Sequence, residues 1–162
     1  MKMDGLKGVL LTTILSLLIC CNSKKEEPPS ATIDKEQIRK DIQAREDEFA
    51  EVYNSGVLKD IGYYAEDAIS FFPNRPPLIG REAIRAFYTS SIASRSDKIS
   101  FRTKDVFPSS DGNLVMEAGY YKVVDSTNAI INTGNYISVF EKRNGKYVCV
   151  RDMSSSDMPA VR

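Results

Sequence analysis

From Lys98 onward the chain alternates with a period of two. The segments "KISFRTKDVF", "NLVMEAGYYKVV", "AIINTGNYISVFEK" and "KYVCVRDMSS" are separated by "SSDG", "DSTN" and "NG". Alternation places successive side chains on opposite faces of an extended strand. Asn144 and Gly145 are the residue pair that a two-residue hairpin turn favours. Long strands joined this briefly run antiparallel, because a parallel return needs a crossover of about a dozen residues or more. The second half therefore predicts a four-stranded meander, and its apolar rows need a cover on at least one face.

The first half supplies that cover. Asp34 is a helix cap, with Gln37 three residues on in a capping-box arrangement. Ile38, Ile42, Phe49, Val52 and Tyr53 follow at helical spacing, and Gly56 suits the end. A short second helix is expected over "VLKDIGYYA". A third follows Gly80 over "REAIRAFYTSSIA", with Ile84, Phe87, Tyr88 and Ile92 as its apolar stripe. Between them "AISFF" reads as an early strand that joins the sheet, ended by Pro73, Pro76 and Pro77. The predicted class is α+β: a cone-shaped, strongly bent antiparallel sheet with three N-terminal helices. Helices on the concave side leave such a cone open at one end, a natural small-molecule pocket.

Upstream of the domain the start has the form of an export leader. Lys2 and Lys7 precede an apolar run from Val9 to Ile19, the length of a signal-peptide core and too short to span a bilayer. "LICC" resembles a bacterial lipoprotein box. Cys21 is then the lipidated residue, with Leu18 three positions before it and Cys20 where a small residue is usual. An ordinary cleaved signal with two incidental cysteines is the alternative. The division that follows is 1–21 signal peptide, 22–32 flexible tether and 33–162 domain. "KKEE" resembles the surface-export signals of Bacteroidetes-type lipoproteins, or is a solvated linker. The expected location is the bacterial cell envelope, held by a lipid anchor. Cys149 is the domain's lone thiol and can form no internal disulfide, so the fold stands on its core.

Composition removes several chemistries. The chain contains no His, which excludes Ser-His-Asp and Cys-His nucleophilic schemes. No metal and no cofactor are expected without imidazole or a glycine-rich phosphate loop. Lys plus Arg and Asp plus Glu are 22 each, so no net field favours nucleic acid.

"YYAEDAISFFP", "PPLIGREAIRAFY", "EAGYYKV", "GNYISVFEKRNGKYV" and "RDMSSSDMP" together resemble the nuclear-transport-factor-2-like superfamily. The nearest in style are the SnoaL-like proteins and the ketosteroid isomerases. The resemblance implies a cystatin-like α+β roll with three helices and a homodimer formed through the outer sheet face. It leaves function open, because this fold hosts enzymes and binders alike. In the isomerases a catalytic Asp precedes the Pro that ends the first strand; here that slot is Phe72, before Pro73. The helical oxyanion Tyr corresponds to Phe49, and the second oxyanion acid to Tyr136. A phenyl ring accepts no proton, so steroid isomerisation by that route is not expected.

Strand parity selects the candidate site. Leu114, Met116, Ala118 and Tyr120 share one face of their strand, assigned here to the inner wall. Val148, Val150 and Asp152 share a face of the last strand, which makes Asp152 a candidate buried carboxylate. Phe71 is expected to point outward and Phe72 to line the cone. The expected pocket joins Phe49, Tyr53, Phe72 and Phe87 to Met116, Ala118 and Tyr120. Tyr136, Val150 and Asp152 complete it, with Arg75 at the mouth. Glu117 and Arg151, on the opposite parity, are expected in a surface or dimer ion pair. The expected function is noncatalytic binding of a small, mostly apolar molecule. Two alternatives stay open. One is a SnoaL-like isomerase, cyclase or hydrolase using Asp152 as acid or base with Tyr136 or Tyr120. The other is an interaction or dimerisation module whose cone its own side chains fill.

Overall fold

Asp34 opens the first helix by accepting the Gln37 amide N–H at 2.9 Å. In the computed structural model, which describes residues 33–57, 62–92 and 96–159, this helix is α1, Lys35–Asn54. Its buried face is Ile38, Ile42, Glu46, Phe49 and Ala50, a helical stripe with one acid inside it. The helix stops at Ser55, and Gly56 follows at φ +74°.

The strands are β1 (Tyr64–Phe71), β2 (Leu78–Ile79), β3 (Lys98–Pro108), β4 (Leu114–Val124), β5 (Ile130–Arg143) and β6 (Lys146–Ser156). A second helix, α2 (Arg81–Ile92), separates β2 from β3. The sheet order is β2-β1-β6-β5-β4-β3. The meander β3 to β6 is antiparallel, as the short turns demand. The early strand departs from the all-antiparallel expectation: β1 joins β6 in parallel, with Ser70 opposite Asp152. That pairing is available because α2 and the meander form the long return that a parallel neighbour requires. Register shifts interrupt the β1–β6, β3–β4, β4–β5 and β5–β6 ladders. Such extra residues bend and twist strands, and the α+β sheet is bent.

Two helices, not three, stand among the described residues. The expected helix over "VLKDIGYYA" is corrected at both ends. Val57 is not helical, Gly62 takes φ +65°, and Tyr64 and Ala65 already belong to β1. Tyr63, Tyr64 and Ala65 are all buried, and packing at the head of a strand overrides their local helical pattern. Residues 58–61 lie outside the described set, as do the leader, the lipobox and the whole tether.

The helices cover one face, α1 lying over β3 and α2 over β1. Ile42, Ile84, Val106, Val115, Phe140 and Cys149 are fully buried between the layers. Cutting Ile42 or Ile84 to Ala costs about 2–5 kcal/mol through lost transfer energy and the hole left behind.

Candidate functional site

Toward one end of the helix–sheet sandwich the core opens into a cavity of about 260 Å³. Its wall is mostly aromatic. The helix α1 contributes Phe49 and Tyr53, and α2 contributes Phe87 and Tyr88. The sheet adds Tyr63 and Tyr64 at the head of β1, Phe72 just past its end, Phe101, Tyr121 and Tyr136. The rings pack on one another: Phe49 on Tyr63 and Phe72 on Phe87, each pair with centroids 4.6 Å apart. Phe71 and Phe72 both reach the cavity lining, Phe71 remaining 42% exposed and Phe72 packing on Phe87. At the rim the exposed Arg75 lays its guanidinium over Phe87, 4.4 Å from the ring centroid.

Asp152 enters this cavity from β6. Tyr64 Oη donates to its Oδ2 at 2.7 Å, and Tyr88 Oη stands 3.5 Å beyond Tyr64 Oη. Oδ1 is buried without a hydrogen-bond partner. Burial pushes the carboxyl above its ordinary range, and the nearby Ser70 and Tyr64 hydroxyls oppose the rise. Asp152 faces inward for a reason other than simple alternation. Cys149 pairs with Phe140 and Arg151 with Val139, which leaves Val150 as an extra residue in β6. The row of Val148, Val150 and Asp152 is therefore broken at Val150. Val150 is buried but does not line the cavity, and Arg151 is thrown outward, its guanidinium donating to the Asp67 carbonyl at 3.2 Å.

A second acidic group lies at the cavity floor. Glu46 of α1 is 1% exposed and accepts the Tyr63 hydroxyl at 2.5 Å. Glu117 of β4 is fully buried; its Oε1 accepts Thr103 Oγ1 at 2.6 Å and Tyr136 Oη at 2.8 Å. Its Oε2 has no hydrogen-bond partner. Burial and the Glu117 charge push Glu46 well above the usual carboxylate range, and burial raises Glu117. Two buried carboxyls this strongly coupled do not both ionise, so the pair retains a proton. Tyr136 reaches Glu117 only because Gly119 lies beneath its ring. A Cβ there would stand 2.4 Å from Tyr136 and 2.7 Å from the Arg102 carbonyl oxygen.

Several sequence expectations change at β4. Its inner row is Val115, Glu117, Gly119 and Tyr121, while Met116 and Tyr120 are 41% and 49% exposed and Ala118 shares their side. Met116, Ala118 and Tyr120 are therefore not pocket residues, and Glu117 is not a surface or dimer ion-pair residue. The parity was inverted because both faces of β4 carry apolar residues, so alternation alone does not say which is inside. Asp152 and Tyr136 both line the cavity but do not touch: Asp152 is paired with Tyr64, and Tyr136 with Glu117. Tyr120, on the outer face, cannot serve Asp152. The structure adds Glu46, Tyr63, Tyr64 and Tyr88 to the site. Glu46 carried a signal: it falls four residues after Ile42 and three before Phe49, inside the buried stripe. Among the described residues no group of acids and thiols is clustered to hold a metal ion.

Residues 47–150 match the SnoaL-like domain, and the chain belongs to that family. Solved structures share its fold at low identity. A cystatin-like-fold domain of unknown function from Nostoc punctiforme is 13% identical with a TM-score of 0.65, the match covering 76% of this chain and 79% of that one. An NTF2-like protein from Novosphingobium aromaticivorans is 14% identical, with a TM-score of 0.64 over 76% and 84%. A ketosteroid isomerase-like protein from Erwinia carotovora atroseptica is 16% identical, with a TM-score of 0.61 over 78% and 100%. No curated protein matches the sequence.

Proposed function

We propose that the chain is a ligand-binding protein whose cone takes a small, mostly apolar molecule and holds it without transforming it. The observation that carries this is the aromatic cavity of about 260 Å³ with one carboxylate oxygen, Asp152 Oδ1, left unpartnered in its wall. Apolar walls with a few oriented polar groups are the usual form of a small-molecule site. An open cavity weighs against a cone filled by its own side chains. Native mass spectrometry of the intact protein tests the proposal. A bound mass that is lost on denaturation is expected, and the cavity-filling Ser70→Phe should remove it. A protein that carries nothing, and whose melting temperature no small apolar compound moves, overturns it.

A second reading, proton-transfer catalysis by Asp152, is favoured by the raised affinity of that carboxyl for a proton. Its phenolic partner is Tyr64, the hydroxyl bonded to it. Turnover of a bound compound that Asp152→Asn abolishes, with the fold intact, would establish it over simple binding.

The same proposal places the domain on the bacterial envelope, lipidated at Cys21 and tethered by residues 22–32. It also makes the domain a homodimer through the outer sheet face. In support, Ala118, Ile137, Met153 and Phe71 stand in register across β4, β5, β6 and β1, three of them large and exposed.

A further inference from the structure

We propose that the molecule this cavity takes is an organic cation: a protonated amine on an apolar, ring-sized frame. The inference rests on the ligand-pocket proposal above and narrows it to one charge class.

The charge inventory of the wall is one-sided. Glu46 and Asp152 line the cavity, Glu117 is coupled to Glu46, and no Lys or Arg is among the described lining residues. The groups that hydrogen-bond to Glu46, Glu117 and Asp152 in this site include hydroxyls of Tyr63, Tyr136, Thr103, Tyr64 and Ser70, and none of these is a cation. Buried carboxylates in folded proteins are otherwise paired with cations or metal ions. No Lys or Arg among the described lining residues supplies a counter-charge, and the buried Asp152 Oδ1 has no hydrogen-bond partner. Burial raises the affinity of Asp152 for a proton, the Tyr64 hydroxyl on Oδ2 opposes that rise, and an ammonium at Oδ1 would stabilise the ionised form further.

The rings carry the same preference. The face of an aromatic ring is negative and attracts cations, most strongly where water is excluded. Phe49, Tyr53, Tyr88, Phe101 and Tyr136 surround the space in front of Asp152 and Glu46. Arg75 shows that this wall takes a cation, since its guanidinium already lies over Phe87 and Phe72 from the rim. An anionic ligand would face the carboxyls of Glu46 and Asp152 with no Lys or Arg among the described lining residues, Arg75 standing only at the rim over Phe87. A neutral ligand without a donor would leave Asp152 Oδ1 orphaned. An amine satisfies the oxygen and the rings together. A space of about 260 Å³ lies just under the usual range for drug-sized molecules, roughly 300–1,000 Å³, so the frame is small.

Three probes on one carbon frame test this by calorimetric titration of the intact protein in near-neutral buffer: phenethylamine, phenethyl alcohol and hydrocinnamate. The amine should bind roughly ten- to a hundredfold more tightly than the alcohol, the scale of one hydrogen bond to a charged group. Hydrocinnamate should bind weakest. Asp152→Asn, with an unchanged circular dichroism spectrum, should remove the preference for amine over alcohol. The ranking by the wild-type protein stands without that variant. If the alcohol or the carboxylate binds as tightly as the amine, the cation inference is overturned while the pocket proposal survives. If none of the three binds, both are overturned.

Discussion

Glu46 and Glu117 are two acids that folding forces together, and their protonation follows from where each sits. In the unfolded chain each titrates near 4.5. In the folded protein burial raises both and the Glu117 charge raises Glu46 further, so the native state keeps a proton that the unfolded chain releases. Their contribution to stability is therefore complete below the unfolded value and is lost as pH rises through the raised folded values. The opposite sign operates at Asp111, whose pKa hydrogen bonds from Ser109 and Asn113 push down to about 2; its contribution is lost as pH falls. Maximal thermal stability is expected in the mildly acidic range, with a decline toward alkaline pH. Glu46→Gln should flatten that decline by a few degrees in Tm, measured by calorimetry across pH. A wild-type Tm that climbs steadily into alkaline buffer would contradict the buried pair. The sequence hid half of this arrangement. Glu46 lies in a legible helical stripe, but nothing local tells Glu117 from an exposed strand acid. Its burial comes from Thr103 and Tyr136, distant in sequence.

Among the elements, α1 was the most legible and β6 the least. A cap, a stripe and a terminal Gly define a helix through interactions within a few residues, and Asp34 does bond the Gln37 amide. Asp34→Ala should cost about 1 kcal/mol and lower the urea midpoint without changing the slope of unfolding. Loss of the whole domain fold on that change would show that α1 holds more than its own cap. In β6 the alternation was read correctly as a strand, yet the inserted Val150 shifts every later residue to the other face. A bulge has no fixed local signature, because the decision lies in how β5 and β1 pair with it. The inward placement of Asp152 was anticipated from a row that does not exist. The expected middle helix is cut back at its described C-terminal end for a related reason. The ring pair Tyr63–Tyr64 has a deep site at the head of β1, and that burial decides the conformation.

At the scale of the whole molecule, the sheet carries large apolar residues on both sides. One side packs under α1 and α2. The other bears Met116, Tyr120, Ile137 and Met153 in the open. Contiguous exposed apolar surface of this kind marks a contact with something, and a second copy of the chain is the proposed partner. Sedimentation should find a dimer, and Ile137→Lys should convert it to a folded monomer by placing an unpaired charge at the centre of the contact. A monomeric wild-type protein at all concentrations would remove the proposal. With apolar residues on both faces, alternation alone does not distinguish the inner face from the outer. Period two was plain from Lys98 to Ser156, so the sheet was readable, whereas the choice of inner face required knowing where the helices land.

The pair formed by Glu46 and Glu117 belongs to the joint between helix and sheet as much as to the cavity floor. Replacing Glu46 with Leu would fill the same volume and spare the fold a buried acid, so an engineer selecting for heat resistance would be drawn to it. That hardier variant would have an oily floor, and Asp152 alone would be left to tell one guest from another.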